Sequence, residues 1–254
     1  MSIGRVERHL ESAVGHDAGP VTPITFAHRG ARAHEPENTL PAFRRALELG
    51  ATGLETDAWL SSDGQVVLVH GGAFRRGLRR VRVGRTTASR LARYDVPGLV
   101  DLYAELGTGF ELSIDVKDRG AAEPILAAAA AAGPEATGKL WLCSPGLRFL
   151  RELADAGTGA HLVHSRSRRR LPQPLERHAA DLGASGIEVM NMHHSEWSAG
   201  LVTLFHRFDV RAFAWDVQEV RHIRAVLAMD IDALYCDRVD RMVATVQEWS
   251  SDRS

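Results

Sequence analysis

The apolar run GLETDAW carries two carboxylates, Glu55 and Asp57, two positions apart, and the apolar runs ITFA and VVLV are each followed directly by a histidine, His28 and His70. Side chains of a strand alternate between its faces, so Glu55 and Asp57 point the same way. Turned toward an apolar interior, two such groups repel each other and lose hydration, and a cation relieves both penalties. Turned to solvent, they would be ordinary surface charge. Oxygen donors alone suit a hard ion, Mg²⁺ or Ca²⁺, better than zinc. The run SIDVK repeats the spacing: Asp115 could supply a third oxygen donor, and Lys117 a fixed positive charge suited to a phosphate. Arg29, directly after His28, can hold phosphate oxygens in a bidentate way, while an imidazole moves protons near neutral pH. Trp215 closes the run RAFAW and could wall a pocket.

These residues need strands whose ends converge. From residue 24 onward, strand-like runs at 24–27, 53–59, 110–116, 139–143, 160–164, 186–190, 211–215 and 233–236 alternate with helical stretches at 40–49, 121–132, 145–156, 174–182, 196–207, 217–228 and 239–249. Eight such units predict an α/β fold, a (β/α)8 barrel with its chemistry at the carboxyl ends of the strands. An open doubly wound sheet is the structural alternative. The run at 66–70 follows Ser61-Ser62-Asp63-Gly64 and reads as the return arm of a hairpin. Residues 71–108 are too long for a simple connection and predict a small insertion, an arginine-rich loop with two short helices. Residues 1–22 read as an N-terminal arm and 23–250 as one barrel domain.

With 254 residues, 44% hydrophobic and 25% charged, the chain can bury a sizeable core, and its net charge of −1 gives no overall attraction to nucleic acid or anionic membrane. Anions must be drawn locally. No apolar leader and no run of roughly 18 apolar residues is present, so a cytoplasmic protein without a transmembrane segment is expected. Cys143 and Cys236 sit in apolar runs without metal-type spacing and read as buried free thiols. None of the 12 histidines lies two residues from another, which argues against a metallohydrolase barrel opening on His-x-His. Arginines cluster at 75, 76, 79, 80, 82 and 85 and again at 166, 168, 169 and 170. A solvated surface accounts for such runs; a funnel for anionic substrate or a peripheral contact with lipid headgroups are the functional readings.

The stretch from Ala27 to His70, with His-Arg-Gly, Pro-Glu-Asn-Thr, Ala-Phe, Glu-x-Asp, Asp-Gly-x-x-Val and a closing His in that order, resembles the opening signature of the glycerophosphodiester phosphodiesterases. Weaker echoes follow in SIDVK, AFAWDV and DALYCD. The resemblance implies a barrel that hydrolyses small-molecule glycerophosphodiesters to an alcohol and glycerol phosphate with one divalent cation, Mg²⁺ or Ca²⁺. It makes His28 and His70 the catalytic pair, Glu55, Asp57 and Asp115 the metal ligands, Arg29 and Lys117 the phosphate contacts, and Trp215 part of the pocket wall. Glu37 and Asn38 would organise their loop and cap the next helix. Three positions depart from the family pattern: Gly71 follows His70 where Asp is usual, Asp115 stands where Glu is usual, and Trp215-Asp216-Val217-Gln218 replaces Trp-Thr-Val-Asn. The first two also resemble the sphingomyelinase D group. A lysophospholipase D or sphingomyelinase D-like activity on lipids, and a phosphate-binding barrel without turnover, are therefore the alternatives.

Overall fold

The computed structural model describes residues 22–253, so the arm expected over 1–22 lies outside the described residues but for Thr22. Eight parallel strands form the barrel: β1 (Ile24–His28), β2 (Gly53–Leu60), β6 (Glu111–Val116), β7 (Leu140–Ser144), β8 (His161–Ser165), β9 (Val189–His193), β10 (Arg211–Trp215) and β11 (Ala233–Cys236). Each pairs with its neighbour in order, and β1 pairs with both β11 and β2, which closes the cylinder. The expected (β/α)8 barrel is the observed fold, and the open sheet is excluded by that closing pair.

Strand alternation fills the cylinder. Phe26, Trp141, Cys143, Val163, Val189, Phe213, Ala233 and Tyr235 form one buried cluster inside it. The residues between them, such as Ala27, Leu54, Leu142, Met190 and Leu234, join a larger cluster with the apolar faces of the outer helices. Helix Leu147–Asp155, for example, buries Phe149, Leu150 and Leu153 at helical spacing. Both cysteines are buried free thiols, as their apolar runs implied. No helix among the described residues is long and apolar enough to cross a membrane.

After β2 the chain turns back as β3 (Val66–Leu68), antiparallel to it, with Ala58 opposite Leu68. That is the expected return arm, and it brings His70 back to the barrel rim. The segment beyond differs from the expected loop: its arginine-rich part is a hairpin of β4 (Ala73–Arg76) and β5 (Arg79–Arg82). Two turn residues, Gly77 and Leu78, link them, and Gly77 takes the positive φ (59°) such a turn needs. Val81 and Val83 pack with Val67, Leu91 and Val96, with Trp59, Phe74 and Tyr94 against them, giving the insertion a small core of its own. The two expected short helices follow at Ala88–Ala92 and Leu99–Leu106. β9 begins three residues later than the expected 186–190. Gly186 (φ 68°) and Ile187, whose N–H donates to Leu182 O, still belong to the turn leaving the preceding helix.

Candidate active site

β1 delivers His28 to the barrel mouth, and the chain then reverses through Arg29 (φ 56°) and Gly30 (φ 76°). A Cβ on Gly30 would stand 2.7 Å from the carbonyl carbon of Ala42, so only glycine fits there. The turn feeds the loop before helix Leu40–Glu48. Thr39 caps that helix by accepting from Ala42 N–H, which corrects the expectation that Glu37 and Asn38 do so. Asn38 is buried beneath the site instead, accepting from Thr56 Oγ1 and donating to Asp57 Oδ2 at 3.3 Å. Glu37 takes the guanidinium groups of Arg29 and Arg32, each at 3.1 Å.

The inward positions of the strands converge on a cavity of about 330 Å³ whose lining includes His28, Arg29, Glu55, Asp115, Trp215 and Asp237. His28 lies opposite Glu55 in the β1–β2 pairing, and Asp57 opposite Asp115 in the β2–β6 pairing. The shared inward face expected for Glu55 and Asp57 is therefore real. His70 and Lys117 meet the site at Asp57, not through the cavity lining. His70 Nδ1 lies 3.2 Å from both Asp57 oxygens, and Lys117 Nζ 3.0 Å from Asp57 Oδ1 and 2.5 Å from Asp115 Oδ2. Arg29 Nε stands 3.1 Å from Asp57 Oδ2, and its Nη2 3.5 Å from His70 Nε2.

Electrostatics divides these groups. Burial, reinforced by Asp57 and Asp115 and opposed by His28, pushes Glu55 up to about 7. Asp57 is as enclosed, yet Lys117 and Arg29 outweigh the burial and hold it below the usual carboxylate range. Lys117, in turn, stays above its ordinary value because Asp115 and Asp57 outweigh its own burial. At His28, burial favours the neutral ring, but Glu55 and Asp237 prevail and raise its value. Asp237 accepts from the ring at 2.6 Å from Nδ1, fixing the proton there and leaving Nε2 toward the cavity.

The site thus holds two histidines, each with a carboxylate partner: His28 with Asp237, His70 with Asp57. Asp237 was not singled out in the sequence. It follows β11 in phase with inward Tyr235, so its alternation was readable, but its partner lies 209 residues away. Arg32, another cavity-lining cation, sits in the β1 turn and has no periodic signal.

The carboxylates suit a hard cation by their chemistry, since Glu55 is an enclosed acid short of countercharge. The side chains as placed do not converge as three ligands, and among the described residues no group of three His, Cys, Asp or Glu is arranged to hold an ion. Glu55 and Asp115 face the cavity, whereas both oxygens of Asp57 are occupied by Lys117, Arg29, Asn38 and His70. Trp215 stands where expected, at the end of β10 and lining the cavity, with its ring edge-on to His193 at 4.7 Å. The departing residue Asp216 (φ 61°) also lines the cavity and meets His193 Nε2 at 3.2 Å.

Residues 28–131 match the model of the glycerophosphoryl diester phosphodiesterase family. A glycerophosphodiester phosphodiesterase of Caldanaerobacter subterraneus subsp. tengcongensis is 51% identical over 47 residues, 18% of this chain and 19% of that one. The stretch matched thus spans about a fifth of that relative's length. A probable glycerophosphodiester phosphodiesterase 2 of Mycobacterium tuberculosis aligns far more widely, at 27% identity over 85% of this chain and 88% of the relative. The crystal structure of a glycerophosphodiester phosphodiesterase from Thermotoga maritima superposes with a TM-score of 0.77 at 23% identity, covering 87% of this chain and 97% of that one, a likeness of fold. The family signature runs through the turn that carries His28 and the strand that carries Glu55 and Asp57, so this part of the chain is similar to the glycerophosphoryl diester phosphodiesterase family, and the barrel has the fold of a solved glycerophosphodiester phosphodiesterase.

Proposed function

We propose that the chain hydrolyses glycerophosphodiesters to an alcohol and glycerol phosphate, with His28 and His70 exchanging protons. The observation that carries this reading is the pair of histidine–carboxylate contacts, His28 to Asp237 and His70 to Asp57, around the half-buried Arg29. Hydrolysis of a phosphodiester needs a base for the attacking oxygen, an acid for the leaving alkoxide, and countercharge for the phosphoryl oxygens. His28, held toward its protonated form, suits the acid, and His70 then takes the base role. Asp57 and Asp237 orient the two rings. Arg29 and Lys117 draw the phosphate, with Arg32 beside them, and Trp215 forms an apolar wall for the alcohol. A divalent cation, Mg²⁺ or Ca²⁺, held by Glu55, Asp57 and Asp115, would polarise a phosphoryl oxygen when bound.

A screen of glycerophosphocholine, glycerophosphoethanolamine, glycerophosphoinositol, lysophosphatidylcholine and sphingomyelin, supplied with Mg²⁺ or Ca²⁺ and scored for release of the alcohol against release of phosphate, tests the reading. Turnover of a glycerophosphodiester is expected, and His28→Ala and His70→Ala should each lower kcat by about 10²–10⁴-fold in folded protein. Turnover confined to sphingomyelin, or none at all, overturns it.

A further inference from the structure

The insertion after His70 has a charge pattern that the reaction does not use. Between residues 64 and 94 there are eight arginines and no aspartate, glutamate or lysine, in a chain whose formal net charge is −1. The rest of the molecule is therefore left with nine acidic groups in excess. All eight arginines are exposed. Among the described residues, only Arg76 has an acidic partner, Asp95 at 3.0 Å.

The hairpin of β4 and β5 concentrates this charge. Arg75 lies opposite Arg80 and Arg76 opposite Arg79, so four guanidinium groups surround a two-residue tip. Like charges facing each other across strands are destabilising unless something outside the chain neutralises them. At the tip stands Leu78, 101% exposed, the most exposed of the large hydrophobic residues. The base is anchored: Phe74 and Val81 pack into the insertion's core, Val83 N–H donates to Gly72 O, and Gly72 lies flat against the Trp59 ring. The tip is thus held away from the barrel, and β4 begins three residues after His70, at the rim of the site.

We propose that this hairpin docks the enzyme on an anionic lipid surface, with Leu78 entering the headgroup and acyl boundary and Arg75, Arg79 and Arg80 meeting lipid phosphates. A basic rim around an apolar tip is the pattern of interfacial anchoring. Arginine stems lie along the apolar boundary while their heads stay at the phosphates. A dissolved anion needs the arginines but gives no role to the leucine, and the tip carries no aromatic ring on which nucleic acid bases could stack. Docking there would set the barrel mouth beside the membrane, where lipid-derived diesters are released.

Binding is read without turnover, so it stands or falls separately from the proposed reaction. The full chain is sedimented with vesicles of phosphatidylcholine alone and of equal parts phosphatidylcholine and phosphatidylglycerol, at low and high salt. Partition onto the anionic vesicles is expected, weakening with salt. The double variant Arg79→Ser/Arg80→Ser should lower it roughly tenfold or more, and Leu78→Ser about fivefold. Melting temperature and turnover of a soluble substrate should stay as in the parent, which shows that the fold is intact. No binding to anionic vesicles, or equal binding to neutral ones, overturns the proposal. So does a loss confined to the arginine variant, which would mark a patch for dissolved polyanions.

Discussion

The proton affinity of His28 is raised: burial opposes the charged ring, and Glu55 and Asp237 together overcome it. Removing the negative charge of Asp237 lowers the proton affinity of His28, and it also frees the ring to choose the wrong tautomer. In Asp237→Asn the alkaline limb of kcat/KM should therefore move to lower pH and kcat fall by roughly 10²-fold or more. A profile coincident with the parent's would remove Asp237 from the mechanism. Glu55 offers a second test, because an acid pushed up to about 7 among carboxylates favours a cation beside it. Excess EDTA should abolish turnover and added Mg²⁺ or Ca²⁺ restore it; full activity in EDTA would leave Lys117 as the countercharge for Asp57 and Asp115. Most of the candidate site was legible because strand alternation and a spaced motif place His28, Glu55, Asp57, Asp115 and Trp215 on one inner surface. What escaped was contact that no local pattern records: Asp237 reaching back to His28, Asn38 reaching under Asp57, and Lys117 bridging two acids.

Elements were legible where their periodicity was clean and misread where a turn borrowed apolar residues. Ile187 looks like strand and is buried, yet it closes the helix before β9. The arginine stretch reads as loop by charge, while alternating Phe74, Val81 and Val83 make it a hairpin. The joint between β8 and helix Leu175–Ala184 has a consequence of its own. His164, 1% exposed, and His178, fully buried, meet there at 3.0 Å between Nδ1 and Nε2. Burial pulls His164 down to about 4, with His178 adding to it, and lowers His178 as well. Below the ordinary histidine value the unfolded chain takes up protons that the folded chain refuses, so stability falls as pH drops from 6.5 and the loss from His164 is complete near 4. Between pH 7 and pH 5 His164 should cost about 2 kcal/mol. Urea unfolding of the parent and of His164→Leu at both pH values checks this; an equal loss in the two proteins would clear His164 of the effect.

At the scale of the whole molecule, a net charge of −1 conceals a strongly basic insertion on an acidic barrel. Bulk composition gives no overall attraction to anionic membranes, whereas the hairpin gathers Arg75, Arg76, Arg79 and Arg80 on one exposed element, the local charge on which the proposed docking rests. The closed sheet adds a kinetic consequence. β1 and β11 meet only when the first and last strands pair, and the His28–Asp237 contact spans that seam. Pairing across so long a separation in sequence is entropically late in folding. During refolding, secondary structure and the outer helices can therefore recover before any catalysis does. Activity regained after dilution from denaturant should track the slowest structural phase, making turnover a clock for the moment at which the two ends of the chain find each other.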